Sequence, residues 1–337
     1  MRKLLSLLAL AFIFVACQNE QEKDRAEATP VECTLRVTAY DITRAEDATG
    51  YSSALGAIKN FNDQDWEKYD LRYTFEVYTA DDSNSCTPIE NTRQVKTINR
   101  YNDEKEVYFN VLLSPYKEYR FVVFADFVNE GESSNLYYDT SDLRNITTLK
   151  GKISPMVEAR DAYFASEIRE ITSHLEESIE LTRPLGKLRA VTTDYEYVAS
   201  YAAPAKAKVT YYDCEIFKSF NAVSGNIFTA RAGDELSFEY NMAKGANYTA
   251  GVDSNSSNMT LFTDYLLAPR AGQDEVHFTL SVWDNDGELI KTHNFNVPIP
   301  VERNNLTTIS GNLLTSDAGI NVKIQHKLQE GAIEEFE

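Results

Sequence analysis

An all-β fold of two tandem antiparallel β-sandwich domains is predicted by three observations. Period-2 alternation dominates from residue 31 onwards, the alternating runs are rich in β-branched and aromatic residues, and Asn, Asp, Ser or Gly clusters bound them. The 337 residues, 43% of them hydrophobic with 20 Tyr and 17 Phe, suffice to fill two cores.

The first block carries strands at residues 33–40, 71–78, 106–113 and 119–126. Helical periodicity is scarce, and its best candidate, residues 157–171, has an ambiguous period. Thr182-Arg183-Pro184-Leu185-Gly186 punctuates the chain as a boundary. Strands resume at 187–192, 207–212, 235–240, 259–267, 276–283 and 289–297. Between the last two, Asp284, Asp286 and Gly287 imitate part of a calcium loop. The further acids at fixed spacing are missing, so a hairpin with Asp-Gly at its turn is expected.

Lys and Arg number 33 against 52 Asp and Glu, a formal charge of −19. Such a chain repels phosphates, which excludes a nucleic-acid binder. Four His stand far apart, with no HExxH. His277 and His293 fall on neighbouring strands and could meet across a hairpin, but two imidazoles make a poor metal site, and partly exposed strand residues are the expectation. Neither GxSxG nor GxGxxG occurs, so no catalytic residue, no metal and no cofactor is expected. The Asn-X-Ser/Thr sites at Asn145, Asn247, Asn255, Asn258 and Asn305 are read as loop composition.

The N-terminus reads as an export signal. Arg2 and Lys3 precede an uncharged run over residues 4–16, too short to span a bilayer, and the chain turns polar directly after Cys17. Phe14-Val15-Ala16-Cys17 resembles a bacterial lipobox, in which the Cys17 thiol takes a diacylglycerol and becomes the new N-terminus. Residues 17–32 then form a flexible tether to the membrane. Cys33, Cys86 and Cys214 remain, and Cys33 with Cys86 is the disulfide to test.

Near the C-terminus, Arg303-Asn304 leads into Thr307-Thr-Ile309-Ser-Gly311-Asn312-Leu313-Leu314-Thr315. This segment resembles the closing strand of the second domain in the fimbrillin family of Bacteroidia. Thr43-Arg44-Ala45, Asp161-Ala-Tyr-Phe-Ala165 and Leu181-Thr-Arg-Pro-Leu185 agree with it in order. The resemblance implies two transthyretin-like sandwiches on an outer-membrane lipoprotein at the cell surface. It also implies a subunit of a type V pilus, with other fimbrial subunits as partners and a host or bacterial surface ligand open. Cleavage by an arginine-specific protease between Arg44 and Ala45 would release the first strand. The C-terminal strand of another subunit would fill the gap.

The expected organisation is a signal peptide (1–16), the tether (17–32), sandwiches at 33–183 and 184–315, and a C-terminal segment (316–337). In that segment Ile320, Val322 and Ile324 alternate onto one face and form the candidate donor strand; the same strand could instead close its own domain. Arg25-Ala26 is a second cleavable step. The alternative function is a monomeric surface lipoprotein that binds glycans through Trp66 or Trp283.

Overall fold

The computed structural model describes residues 29–38, 67–81, 85–99, 106–152, 154–231, 236–242, 258–272 and 274–325. Strands dominate them, as the alternation predicts. The first sandwich pairs a three-stranded sheet with a four-stranded one. The former runs β4 (Glu106–Leu113), β1 (Val31–Thr38), β9 (Leu175–Ile179). The latter runs β3 (Gln94–Ile98), β2 (Tyr69–Thr79), β5 (Lys117–Asn129), β8 (Ala162–Ile171). Cys33, Leu35 and Val37 of β1 enter one core with Tyr73, Phe75, Phe109 and Phe121. Phe75 and Phe109 stack across the sandwich with centroids 4.9 Å apart.

The second sandwich is built alike. One sheet runs β15 (Met259–Leu267), β10 (Leu185–Thr192), β18 (Leu306–Gly311), β19 (Asn321–Gln325). The other runs β14 (Leu236–Asn241), β11 (Pro204–Tyr212), β16 (Asp274–Asp284), β17 (Leu289–Val301). In strand order and pairing sense, β1, β2, β3, β4, β5, β8 and β9 repeat as β10, β11, β14, β15, β16, β17 and β18. Each repeat sets its first strand parallel to the last of the shared set, β1 with β9 and β10 with β18. Among the described strands of the two sandwiches, only β19 has no counterpart.

A further sheet joins the repeats: β13 (Asn226–Arg231), β12 (Ile216–Asn221), β7 (Ile146–Thr148), β6 (Tyr138–Asp139). It draws two strands from each side of the expected boundary at residue 183. Beneath it, Val122, Phe124 and Phe164 meet Phe220, Leu185 and Leu267 in a third core. Phe164 and Phe220 pack edge to face at 4.7 Å, and the Arg303 guanidinium lies 5.5 and 5.6 Å from their ring centroids.

Several expectations need correction. Residues 157–171 are not a helix: a 3-10 turn, Glu158–Arg160, leads into β8. Tyr163 and Ala165 face the first core while Ala162 and Phe164 face the third, so burial on both faces hides the alternation. No disulfide joins Cys33 and Cys86, because the sheet carrying β2 and β5 separates the first core from the third. His277 and His293 do not meet: His293 pairs with Leu280, and an irregularity after Val276 drops His277 from the ladder. His293 is also buried, contrary to expectation, and its Nε2 lies 2.5 Å from the Leu313 carbonyl oxygen.

The hairpin after β16 is as expected. The Asp284 N–H donates to the Glu288 carbonyl, the Asp284 carboxylate accepts the Asp286 and Glu288 N–H groups, and Gly287 takes φ +84°.

Buried charge locks the two repeats together. Arg160 pairs with Asp264 of β15, Lys187 of β10 with Glu158 at 3.0 Å, and Arg183 with Asp161 at 2.8 Å. Phenols complete the shells: Tyr163 donates to Asp161 at 2.6 Å, Tyr265 to Glu158 at 2.7 Å and Tyr211 to Asp264 at 2.9 Å. Burial holds all three phenols well above their ordinary range, so they remain donors. Asp264→Ala leaves Arg160 buried without its counter-charge, and the expected loss in a urea titration is ~3–5 kcal/mol. Gly186 sits against β17's end, where an added Cβ would lie 2.5 Å from the Glu302 carbonyl oxygen. Gly186→Ala is expected to cost about 1–3 kcal/mol in the same titration, because backbone must move.

Candidate functional site

Two strands stand at the ends of the described chain, β1 and β19. The first is a central strand. All eight β1 residues pair with β4, and five also pair with β9. Val and Leu contribute ~1.5–3 kcal/mol each when fully buried, so Leu35 and Val37 anchor β1 firmly. As the first strand of its repeat, β1 can leave without unthreading another element once the chain after it is cut. Its departure would part β4 from β9 and open the first core.

β4 and β9 would then show unpaired backbone on their inner edges. On the outer edge of β4, Lys96 donates to the Tyr108 carbonyl at 2.6 Å and Gln94 to the Asn110 carbonyl at 2.8 Å. These side chains reach across from β3, the edge of the opposite sheet, and seal that flank.

β19 is held more lightly. It pairs with β18 alone, Val322 opposite Ile309 and Ile324 opposite Thr307. Ile320 packs against the second core and Ile324 is half-buried, but Val322 is 46% exposed. The predicted donor residues therefore share one face, and that face is incompletely covered.

The segment before β19 is anchored at both ends. Asp194 caps it, accepting from the Leu314 N–H at 3.3 Å, the Thr315 hydroxyl at 2.6 Å and the Thr192 hydroxyl. Asp317 pairs with Lys291 at 2.9 Å, which holds its carboxyl below the usual range. That acid is 72% exposed, so the pair is worth little. Gly311 contacts the turn closely, since a Cβ there would lie 3.0 Å from the Gly319 carbonyl oxygen.

Cys17, Arg44, Ala45 and Trp66 lie outside the described residues. Trp283 is half-buried, with Lys206 Nζ 4.9 Å from its ring centroid. Among the described residues, no three His, Cys, Asp or Glu side chains gather as a metal site. No helix among them is long and apolar enough to cross a membrane.

The segments carrying the resemblance serve the junction. Asp161 and Arg183 form one buried ion pair, and Arg303 donates to the Ala268 carbonyl at 2.8 Å beneath the aromatic pair. The 303–315 segment supplies β18 and the loop that Asp194 holds. Sequence reasoning missed Glu158, Arg160, Lys187 and Asp264. Only the position of Glu158 and Arg160 directly before Asp161, and of Lys187 directly after Gly186, pointed towards them.

The chain is similar in fold to several solved structures. A candidate cell adhesion protein from Bacteroides ovatus shares 14% identity over 92% of this chain and 99% of its own, with a TM-score of 0.45. A candidate polysaccharide-binding protein from Bacteroides thetaiotaomicron shares 12% over 90% and 99%, with a TM-score of 0.47. The tip fimbrial protein Mfa3 from Porphyromonas gingivalis, with a C-terminal truncation, shares 10% over 88% and 98%, with a TM-score of 0.43. No curated protein matches the chain. Residues 23–335 match the model of a family of unknown function (DUF6562), and the chain belongs to that family.

Proposed function

We propose that this chain is a fimbrial or adhesin subunit, lipid-anchored at Cys17 on the outer membrane, without catalytic activity, that joins other subunits by strand exchange. The observation that carries the reading is the asymmetry between its terminal strands. β1 fills the middle of a sheet whose flanking strands would be left with open inner edges. β19 is an edge strand with a half-covered apolar face. Arg44 follows β1 by six residues, within the polar stretch where a protease would act.

In this scheme a cut at Arg44 lets β1 go, and the gap between β4 and β9 takes β19 of another copy. Ile320, Val322 and Ile324 replace Cys33, Leu35 and Val37 as the inward residues. Both sets alternate at period 2, so an incoming strand presents three apolar side chains to the first core. The released β19 exchanges one edge ladder for two, and Val322 exchanges a half-wet position for a buried one.

Limited digestion of the mature protein with an arginine-specific protease tests the scheme. A cut at Arg44, located by intact mass, with SDS-resistant multimers on an unboiled gel is the expected result. Cutting at Arg25 alone, with the protein still monomeric, would overturn it. Deleting residues 320–325 is expected to abolish the multimers. Val322→Asp should abolish them while shifting monomer stability by no more than about 0.5 kcal/mol, as fits an exposed edge position.

A further inference from the structure

Among the described strands, the repeat leaves the outer edge of β9 without the partner its counterpart has. In the second sandwich β19 lies along the outer edge of β18; in the first, β9 is the counterpart of β18, and no described strand lies beyond it. A strand edge backed by an apolar core ordinarily recruits a strand from another molecule.

What points inward at the two flanks differs. In the second sandwich Ile299 and Val301 of β17 and Ile309 of β18 enter the core there, each at most 2% exposed. Ile320, leading into β19, packs on the same core. The corresponding strands of the first sandwich send Ala165, Ile171 and Ile179 into the core at their ends but carry charge at inward positions between them. Glu167 and Arg169 of β8 stand opposite Phe121 and Tyr119, and Glu177 of β9 stands opposite Leu35, so all three occupy core-facing positions.

Arg169 Nε donates to Glu177 at 2.5 Å, and its terminal nitrogen pairs with Glu167. The Arg169 guanidinium thus ties the edge of one sheet to the edge of the other across the open side. Bonding to Glu177 raises its pKa, so the cation persists across the physiological range. The three side chains are about one-third exposed (31–38%), which keeps their charges hydrated. Arg36, Glu176 and Ser178 line an open depression beside Glu177.

We infer that Glu167, Arg169 and Glu177 guard the β9 edge against β19 of a second copy of this chain, the strand that covers the equivalent edge in the second sandwich. An added β19 would lay Ile320, Val322 and Ile324 over the cluster. Aliphatic side chains would displace the water around three charges and return no hydrogen bonds. The guard confines strand pairing in this sheet to its middle. The inference rests on the repeat, not on strand exchange, and concerns the protein with β1 in place.

The test is size exclusion with light scattering on the full mature chain over a hundredfold range of concentration. The unaltered chain is expected to stay monomeric. Glu167→Val, Arg169→Leu and Glu177→Val together are expected to raise its mass at least twofold with concentration. Deleting residues 320–325 from that variant should return it to monomer. The charge-swapped variant Glu167→Lys, Arg169→Glu and Glu177→Lys, which keeps the pairs, should remain monomeric. A folded apolar variant that stays monomeric overturns the inference, as does association that survives the deletion. Should the apolar variant not fold, Arg169→Gln with Glu177→Gln takes its place under the same criteria. Loss of protease-driven multimers would leave these outcomes unchanged, so the two readings fail separately.

Discussion

The buried charge at the junction is the constraint on which the rest of the molecule depends. Two acids in or beside the 3-10 turn, Glu158 and Asp161, and Asp264 of β15 across the interface meet Lys187, Arg183 and Arg160 with almost no exposure of the cations. Such pairs contribute little net stability once desolvation is counted, but removing one partner strands the other. Their effect is therefore on geometry. Arg160 also donates to the carbonyls of Ser154 and Tyr265, and Tyr138 donates to the Arg160 carbonyl, so backbone from both repeats is fixed to one guanidinium. The third core and the shared four-stranded sheet then pack around a junction whose orientation is already set.

Given that rigid junction, the remaining freedom lies at strand edges. An antiparallel sandwich always presents edges, and each has to be covered, blocked or used. Three solutions coexist in this chain. Lys96 and Gln94 occupy the carbonyls of β4; the charge cluster around Arg169 fills the flank of β9; β19 covers β18. The first two use fixed side chains, and the third uses a strand at the end of the described chain. The exchange reading centres on the third, because it alone is made of backbone that could pair elsewhere.

Much of the fold was legible because long strands with one wet face advertise themselves. β4, β11 and β16 alternate along their length, β5 and β15 read instead as long apolar and aromatic runs, and the Asp-Gly turn after β16 has the chemistry of a hairpin. β8 was hidden by burial on both faces. β9 was hidden for the opposite reason: Leu175-Glu-Glu-Ser-Ile179 places Glu177 in an inward position, so its pattern is too polar for a core strand. The short pair β6 and β7 borrows its pairing from β12, some seventy residues away, and no local signal reveals it. Of the candidate site, the apolar face of β19 was readable from Ile320, Val322 and Ile324, while its partner strand was not.

The sequence by itself determined the class of the fold, the net acidic charge and the alternation that β1 and β19 share. These are local properties, set by composition and by a period of two. Tertiary structure alone decided that one sandwich is repeated, that β1 lies between β4 and β9, and that β19 stands at an edge. It also decided that Asp161, Arg183 and Arg303 serve the junction. Register and burial depend on pairings between residues far apart in the chain, and a single sequence carries no record of which distant residues meet.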